Sequence, residues 1–407
     1  MTVTTWVPIP TNAPGAELYS QQGDLIWISL QLLTTAVALA LLFTGAGARL
    51  RSALRRLTGE RPYWTLTLFA GAYLVVARLV SLPLEYYAQV GHWNDWDFPR
   101  LTGFPKTSFG AWLVGYAVQL EVALVAAALL LWIPFALIAR APRLWWLYLT
   151  AIAVPVLAIG LVTAQVVITP MATRFEPLAD PGLNAQIQAM AERCGAGSIP
   201  VFIGGNDETV VGLGPTSRVL ISPYALKTET RAQLLTTLAH ELKHYRLGDN
   251  WLALAMVGDL ILAGALLIQL LGPMAIRRWG ARFGVASLAD PASLPLMVLI
   301  LTLAWALAGL PIFNAVQRHV ETEADRFALE VTHDNYAFAS WQAAAAKAPW
   351  RMNEYDLFFD VFMATHPSQA DRVRMGDSYQ PWEKGQPGVY DKVCKPASAA
   401  PGGAGKG

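Results

Sequence analysis

What this sequence has least of is charge. Only 14% of its 407 residues are Asp, Glu, Lys or Arg, against roughly 25% in a typical soluble domain. The deficit is concentrated in long apolar runs, which excludes an ordinary soluble chain and points to a polytopic membrane protein. With a net charge of +1 there is no basic excess to draw nucleic acid, and none is expected as a partner. Cysteine is nearly missing. Cys194 and Cys394 lie far apart and neither sits in a C-x-x-C pair, so neither a disulfide framework nor a thiolate metal site is expected. The opening residues lack the Lys or Arg of a signal-peptide n-region, so the first apolar segment is expected to be retained as a span. No internal repeat is found.

What is present begins with six apolar segments, at about 24–47, 63–86, 109–139, 144–168, 251–272 and 294–316. They divide the chain into an exposed N-terminal tail (1–23), four transmembrane segments (24–168), a soluble region (169–250), two more transmembrane segments (251–316), a mixed helical part (317–382) and a disordered tail (383–407). Asp180, Pro181 and Gly195 predict a helix over 181–194. The runs IPVFIGG and SRVLIS, with Gly212, Gly214 and Pro215 between them, predict a small antiparallel hairpin. Arg78, Glu121 and Asp259 fall inside apolar spans. Such charges line a cavity, snorkel to the interface or form structural ion pairs.

The connections after segments one, three and five hold five, two and three Arg or Lys residues, whereas residues 1–23 hold none and 87–108 hold two. By the positive-inside rule the Arg-rich connections are cytoplasmic. Six spans then put both termini and the soluble region on the outer side.

That soluble region carries the chemistry. Its sequence AHELKHYRLGD contains His240, Glu241 and His244 as H-E-x-x-H. On a helix, positions i and i+4 share a face, so both imidazoles can reach one metal ion, with Glu241 beside them to take a proton from the attacking water. Thr230 and Gln233 have capping-box spacing, Leu234, Leu235, Leu238 and Leu242 make an apolar face, and Gly248 can end the helix. A surface helix with idle His residues is the bland alternative. A catalytic zinc takes three protein ligands, and the position six residues after His244, where one extended pattern has its third His, is Asn250. The best supplier is Glu321-Thr322-Glu323-Ala324-Asp325, in which Glu321 and Asp325 share a helical face. One can bind metal while the other orients a ligand His.

TPMATRFEPL, GLGPTSRVLIS, AHELKHYRLGD, ETEADRFAL and THPSQADR, in that order between Thr169 and about Arg374, resemble the integral-membrane zinc metalloproteases that include type I CAAX prenyl endopeptidases and HtpX-like peptidases. The resemblance implies that His240, His244 and Glu321 bind zinc, that Glu241 is the base, and that Asp325 orients a ligand. It further implies that His366 stabilises the oxyanion and that Arg372 supports the site. Substrate would lie extended along the 200–222 segment by β-augmentation, with Asp207, Glu208, Val210 and Gly212 at its edge. The family has an Asn-Ala pair where Asp207 and Glu208 stand, and seven spans where six are counted, an early one being absent.

The expected protein is therefore mainly α: a membrane helical bundle with a zincin-like catalytic region containing a small β-hairpin. It is expected to hold one Zn²⁺, to hydrolyse extended peptides, and to sit in a lipid bilayer, that of a bacterial inner membrane. Two other readings stay open, an inactive membrane scaffold and a site-two-type intramembrane protease. Lys243, Arg246 and Asp249 around the motif speak against the second, because they place it at the membrane surface.

Overall fold

The computed structural model describes residues 7–98, 106–168, 171 and 175–394. Outside these lie the ends of both expected tails, residues 99–105 of a Trp-rich loop and most of the TPMATR stretch. The helices are α1 (Ala16–Phe43), α2 (Ala46–Leu57), α3 (Pro62–Tyr86), α4 (Phe109–Leu130), α5 (Trp132–Arg140), α6 (Trp145–Thr163) and α7 (Pro181–Arg193), then α8 (Arg231–Leu247), α9 (Asp249–Phe283), α10 (Leu294–Ala304), α11 (Leu310–Thr332), α12 (Asn335–Ala345) and α13 (Gln369–Ser378). Six helical stretches are long and apolar enough to cross a membrane: Ala16–Phe43, Pro62–Asp95, Phe109–Arg140, Trp145–Ile168, Asp249–Phe283 and Pro291–Thr332. The chain falls into two units, one of residues 18–154 with 257–311 and one of residues 1–17, 155–256 and 312–407.

The first unit is built of apolar helices around Phe69, Tyr73, Phe135, Trp145, Ile268 and Met297. The indole of Trp145 is fully buried, and its Nε1–H donates to Gln269 Oε1 at 2.6 Å, which satisfies the polar tip of an otherwise apolar side chain. The Arg-rich connection after the first span is itself helical, as α2. Gly45, at φ 68°, supplies the left-handed residue that lets α2 start two residues after α1. Arg51 of α2 pairs with Asp290. Arg78 is also matched: its guanidinium meets Glu85 at 2.7 Å and lies 4.1 Å over the Tyr116 ring, while Ser81 Oγ donates to Glu85 at 2.5 Å. Of the roles open to this intramembrane Arg, the structural ion pair is the one formed. Glu121 and Asp259 are exposed.

The second unit carries a four-stranded sheet, β1 (Glu176–Pro177), β2 (Val201–Ile203), β3 (Thr209–Val211) and β4 (Arg218–Ile221), in the order β1-β2-β4-β3. The two runs expected to pair as a hairpin, β2 and β4, lie side by side in parallel, and β3 forms the antiparallel hairpin with β4. Six residues separate the end of β3 from the start of β4 by way of Gly212, whose φ of 90° has no room for a Cβ beside the Thr216 carbonyl. That turn lets the short TVV run reach β4 first and pushes β2 to its far side. Leu183, Ile187 and Met190 of α7, Val219 and Ile221 of β4, Leu234, Leu238 and Leu242 of α8, and Phe327 and Leu329 of α11 close the core.

Three expectations are corrected in this unit. Cys194 and Cys394 are joined as a disulfide across a sequence separation of 200; α7 ends at one sulfur and the last described turn at the other, a proximity that spacing along the chain does not reveal. Residues 383–394 are packed rather than a loose tail, because Val389 and Tyr390 donate backbone N–H groups to Glu330 at 3.0 and 2.7 Å. Residues 7–15 are also held: Val7 is buried with Ala339 and Val373, and Asn12 Oδ1 accepts from Asn353 N at 2.7 Å.

Candidate active site

Thr230 caps α8 and exchanges hydrogen bonds with Gln233 in a capping box, while Gly248, at φ 72°, ends the helix. Within it His240 is buried against the core side and Glu241 and His244 are half-buried. His240 Nδ1 meets Asp325 Oδ1 at 3.0 Å and His244 Nδ1 meets Asp249 Oδ2 at 2.6 Å. A carboxylate at each Nδ1 orients that ring and leaves Nε2 as the atom that would face a metal. The two Nε2 atoms face one another at 3.2 Å, with Glu321 oxygens 3.1 Å from one and 3.7 Å from the other. Two imidazole nitrogens and a carboxylate at such range form a donor set that one cation would bridge. A tetrahedral zinc with bonds of about 2.0–2.1 Å holds its ligands roughly 3.3 Å apart, so the donor set fits one. The Glu241 carboxylate also lies within 4.8 Å of both imidazoles.

The acidic run on α11 divides as helical geometry dictates. Glu321 and Asp325 turn to the imidazoles, whereas Glu323 turns away to accept from Tyr390 OH at 2.6 Å and to pair with Arg326. Arg372 grips Asp325 with two hydrogen bonds, of 2.7 and 2.5 Å, and both side chains are buried. His366 Nε2 lies 3.4 Å from Glu321 Oε2. Burial alone would push His240 down, but Asp325 and Glu321 outweigh it and hold the imidazole at about 9. Burial lifts the Glu241 carboxyl above its ordinary value, although both imidazoles pull it back, a direction that suits a general base.

Two cavities open from this centre. One, of about 320 Å³, is lined by Thr209, Val210 and Val211 of β3 with Gln165, Tyr245 and Asn250. The other, of about 550 Å³, is lined by Asp207, Glu208, Trp341, Arg351 and Tyr355. His240, Glu241, Glu321 and His366 line both. Gly212 lines neither; its N–H donates to Gln165 at 3.2 Å. The sequence reading missed Asp249 as the partner of His244, though the left-handed Gly248 that swings it back was in view. It also missed Lys243, buried with its Nζ at 2.8 Å from Asp249 and 3.0 Å from the Val320 carbonyl.

An imidazole pair, a distal carboxylate, the Glu241 carboxylate and two cavities meeting at them are the groups a metal-dependent peptidase needs, here on a chain with six candidate membrane spans among the described residues. The comparisons with known proteins agree. Residues 25–174 match the CAAX prenyl protease N-terminal model, described as five membrane helices, and residues 177–378 match the model of peptidase family M48. The chain belongs to that family of membrane metallopeptidases. It is 23% identical over 372 residues to the uncharacterized metalloprotease YhfN of Bacillus subtilis (strain 168), covering 90% of this chain and 85% of that one. It is 24% identical over 188 residues to CAAX prenyl protease 1 of Saccharomyces cerevisiae, covering 44% and 40% of the two chains. The crystal structure of S. mikatae Ste24p shares the fold, with a TM-score of 0.68 at 19% identity over 89% of this chain and 88% of that one. Three of the six candidate spans fall within the range matched by the five-helix model and the first overlaps it in part. Family membership favours a hydrolase over an inactive scaffold, and α8 is not among the candidate spans, unlike the motif helix of a site-two protease.

Proposed function

We propose that this chain is a zinc-dependent endopeptidase in which His240, His244 and Glu321 hold one Zn²⁺ and Glu241 is the general base. The observation that carries the reading is the meeting of two Nε2 atoms at 3.2 Å, each with a Glu321 oxygen within 3.7 Å, with both rings held from behind by carboxylates. When bound, the metal would polarise the scissile carbonyl and acidify water. Glu241 takes the proton of the attacking water and passes it to the leaving amine. His366 donates Nε2–H to the developing oxyanion. Asp325 and Asp249 keep the two rings in register, and Arg372 keeps Asp325 ionised and in place. Substrate pairs in extended form with the open edge of β3.

The catalytic side of the membrane is the outer side of a bacterial inner membrane. The Arg-rich connections after spans one, three and five support this, and so does the Cys194–Cys394 disulfide, since such bonds persist in oxidising compartments. The hydrolytic reading is tested with Glu241→Gln, which removes the base and none of the three ligands. The purified variant should keep one zinc per chain and lose peptide hydrolysis; near-normal turnover would overturn the mechanism.

A further inference from the structure

The larger cavity at the candidate active site carries charge of both signs. Asp207 and Glu208, immediately before β3, line it, and so do Arg351 and Arg372. The charge of Arg372 is taken up by Asp325. Glu208 is fixed rather than mobile: Oε1 accepts from the Ser222 backbone N–H at 3.2 Å and from its Oγ–H at 2.7 Å, which leaves Oε2 as an open acceptor. Asp207 is exposed and has no ion pair or side-chain hydrogen bond among the described residues. The same cavity presents Trp341, whose indole N–H is occupied by Glu229 at 3.2 Å and whose ring already lies 5.5 Å from the Arg372 guanidinium. A held carboxylate, a free one and an aromatic ring are the groups that receive an ammonium or guanidinium. Burial and then the charge of Glu208 push the Glu229 carboxyl up to about 7.

Strand direction assigns the two carboxylates to one side of the scissile bond. β3 is an edge strand already paired antiparallel with β4, and antiparallel pairing is the more stable mode. A peptide added to its open edge therefore runs from Val211 toward Asp207. The residues beyond the bond that is cut enter the Asp207–Glu208 cavity, and those before it lie in the smaller one.

We propose that Asp207 and Glu208 select a Lys or Arg side chain at the substrate residue immediately following the scissile bond. The proposal rests on the endopeptidase reading and goes beyond it by naming the substrate class. A preorganised carboxylate receiving a cation is worth on the order of tenfold in affinity or rate.

The test uses the full-length zinc-loaded protein in detergent with three fluorogenic peptides that differ only after the scissile bond, carrying Lys, norleucine or Glu there. The expected kcat/KM order is Lys, norleucine, Glu, with roughly tenfold between the first two, narrowing as salt screens the exposed Asp207. In D207N, which leaves the Glu208–Ser222 anchor intact, the Lys-to-norleucine ratio should fall. In D207K the ranking should move toward Glu. A Lys peptide no better than norleucine, or a ratio unaltered in both D207N and D207K, overturns the proposal. The same peptides titrated by fluorescence anisotropy against Glu241→Gln protein separate the two readings. If native protein cuts none of them while the Lys peptide still binds preferentially, the hydrolytic reading fails and the cation site stands; if all are cut and bound alike, the reverse holds.

Discussion

Replacing Cys194 and Cys394 by Ser should loosen the catalytic unit and its metal together. The disulfide closes a loop of sequence separation 200, and the chain-entropy relation puts the constraint on the unfolded state at about 5 kcal/mol for that length. The loop includes residues 257–311 of the other unit, which a bilayer would keep ordered. The dependence on length is logarithmic, so this trims the figure by only about 0.3 kcal/mol. Measured losses for native disulfides run to about 2–5 kcal/mol. At roughly 2–4 °C per kcal/mol for a unit of this size, the melting temperature should drop by about 10 °C. The effect should extend to the metal. His240 and His244 come from the chain segment that holds Cys194, and Glu321 and Asp325 from the segment that holds Cys394. The assay is intrinsic-fluorescence melting of the full-length protein in detergent, followed by zinc content after a fixed chelator challenge. Native protein treated with reductant should reproduce both changes. A double-Ser variant that melts within about 2 °C of the native protein and resists chelator equally would refute the reasoning.

Three further outcomes are expected. Glu321→Ala should lose zinc by elemental analysis, whereas Glu323→Ala should keep it and weaken only the Tyr390 and Arg326 contacts; the opposite ranking would move the ligand to Glu323. His240, held at about 9 by Asp325 and Glu321, must shed a proton to bind metal. Apparent zinc affinity should therefore fall about tenfold per pH unit below 9, with close to one proton released per zinc at pH 7 in calorimetry across buffers. The sign reverses for the zinc-stripped fold: the charged imidazole's contribution is complete below its ordinary value of 6.5 and is lost as pH rises through 9. An affinity flat from pH 7 to 9 would contradict this. A reporter fused after Thr228 should give alkaline phosphatase activity; green fluorescence without phosphatase activity would return the active site to the cytoplasm.

The metal helix was legible in the sequence because every signal for it is local. Thr230 and Gln233 sit three apart, the two His four apart, and Gly248 closes the helix, so cap, face and stop are all written within twenty residues. The spans were legible for the same reason. Pairings that only tertiary packing creates were not. The parallel match of Phe202 with Leu220 skips over β3, and nothing in either run states its neighbour. Cys194 and Cys394 carry no spacing signal. Glu330 reads as one more acid on a helix until the backbone of Val389 and Tyr390 folds over it. The assignment of Glu321 rather than Asp325 as ligand came from the family resemblance; helical phase alone put both on the same face.

The catalytic unit is discontinuous, and this sets when the protein becomes active. His240 is made 81 residues before Glu321, and the chain between them includes residues 257–311 of the other unit. At roughly 5–20 residues per second, the ribosome leaves a gap on the order of ten seconds between the two. On the proposed ligand set, the nascent chain during that gap carries a complete H-E-x-x-H helix and lacks Glu321. The site can close only after α9 to α11 have been synthesised, so a chain stalled or degraded before that point releases no peptidase. On the proposed ligand set, proteolytic competence is tied to completion of the last two membrane crossings.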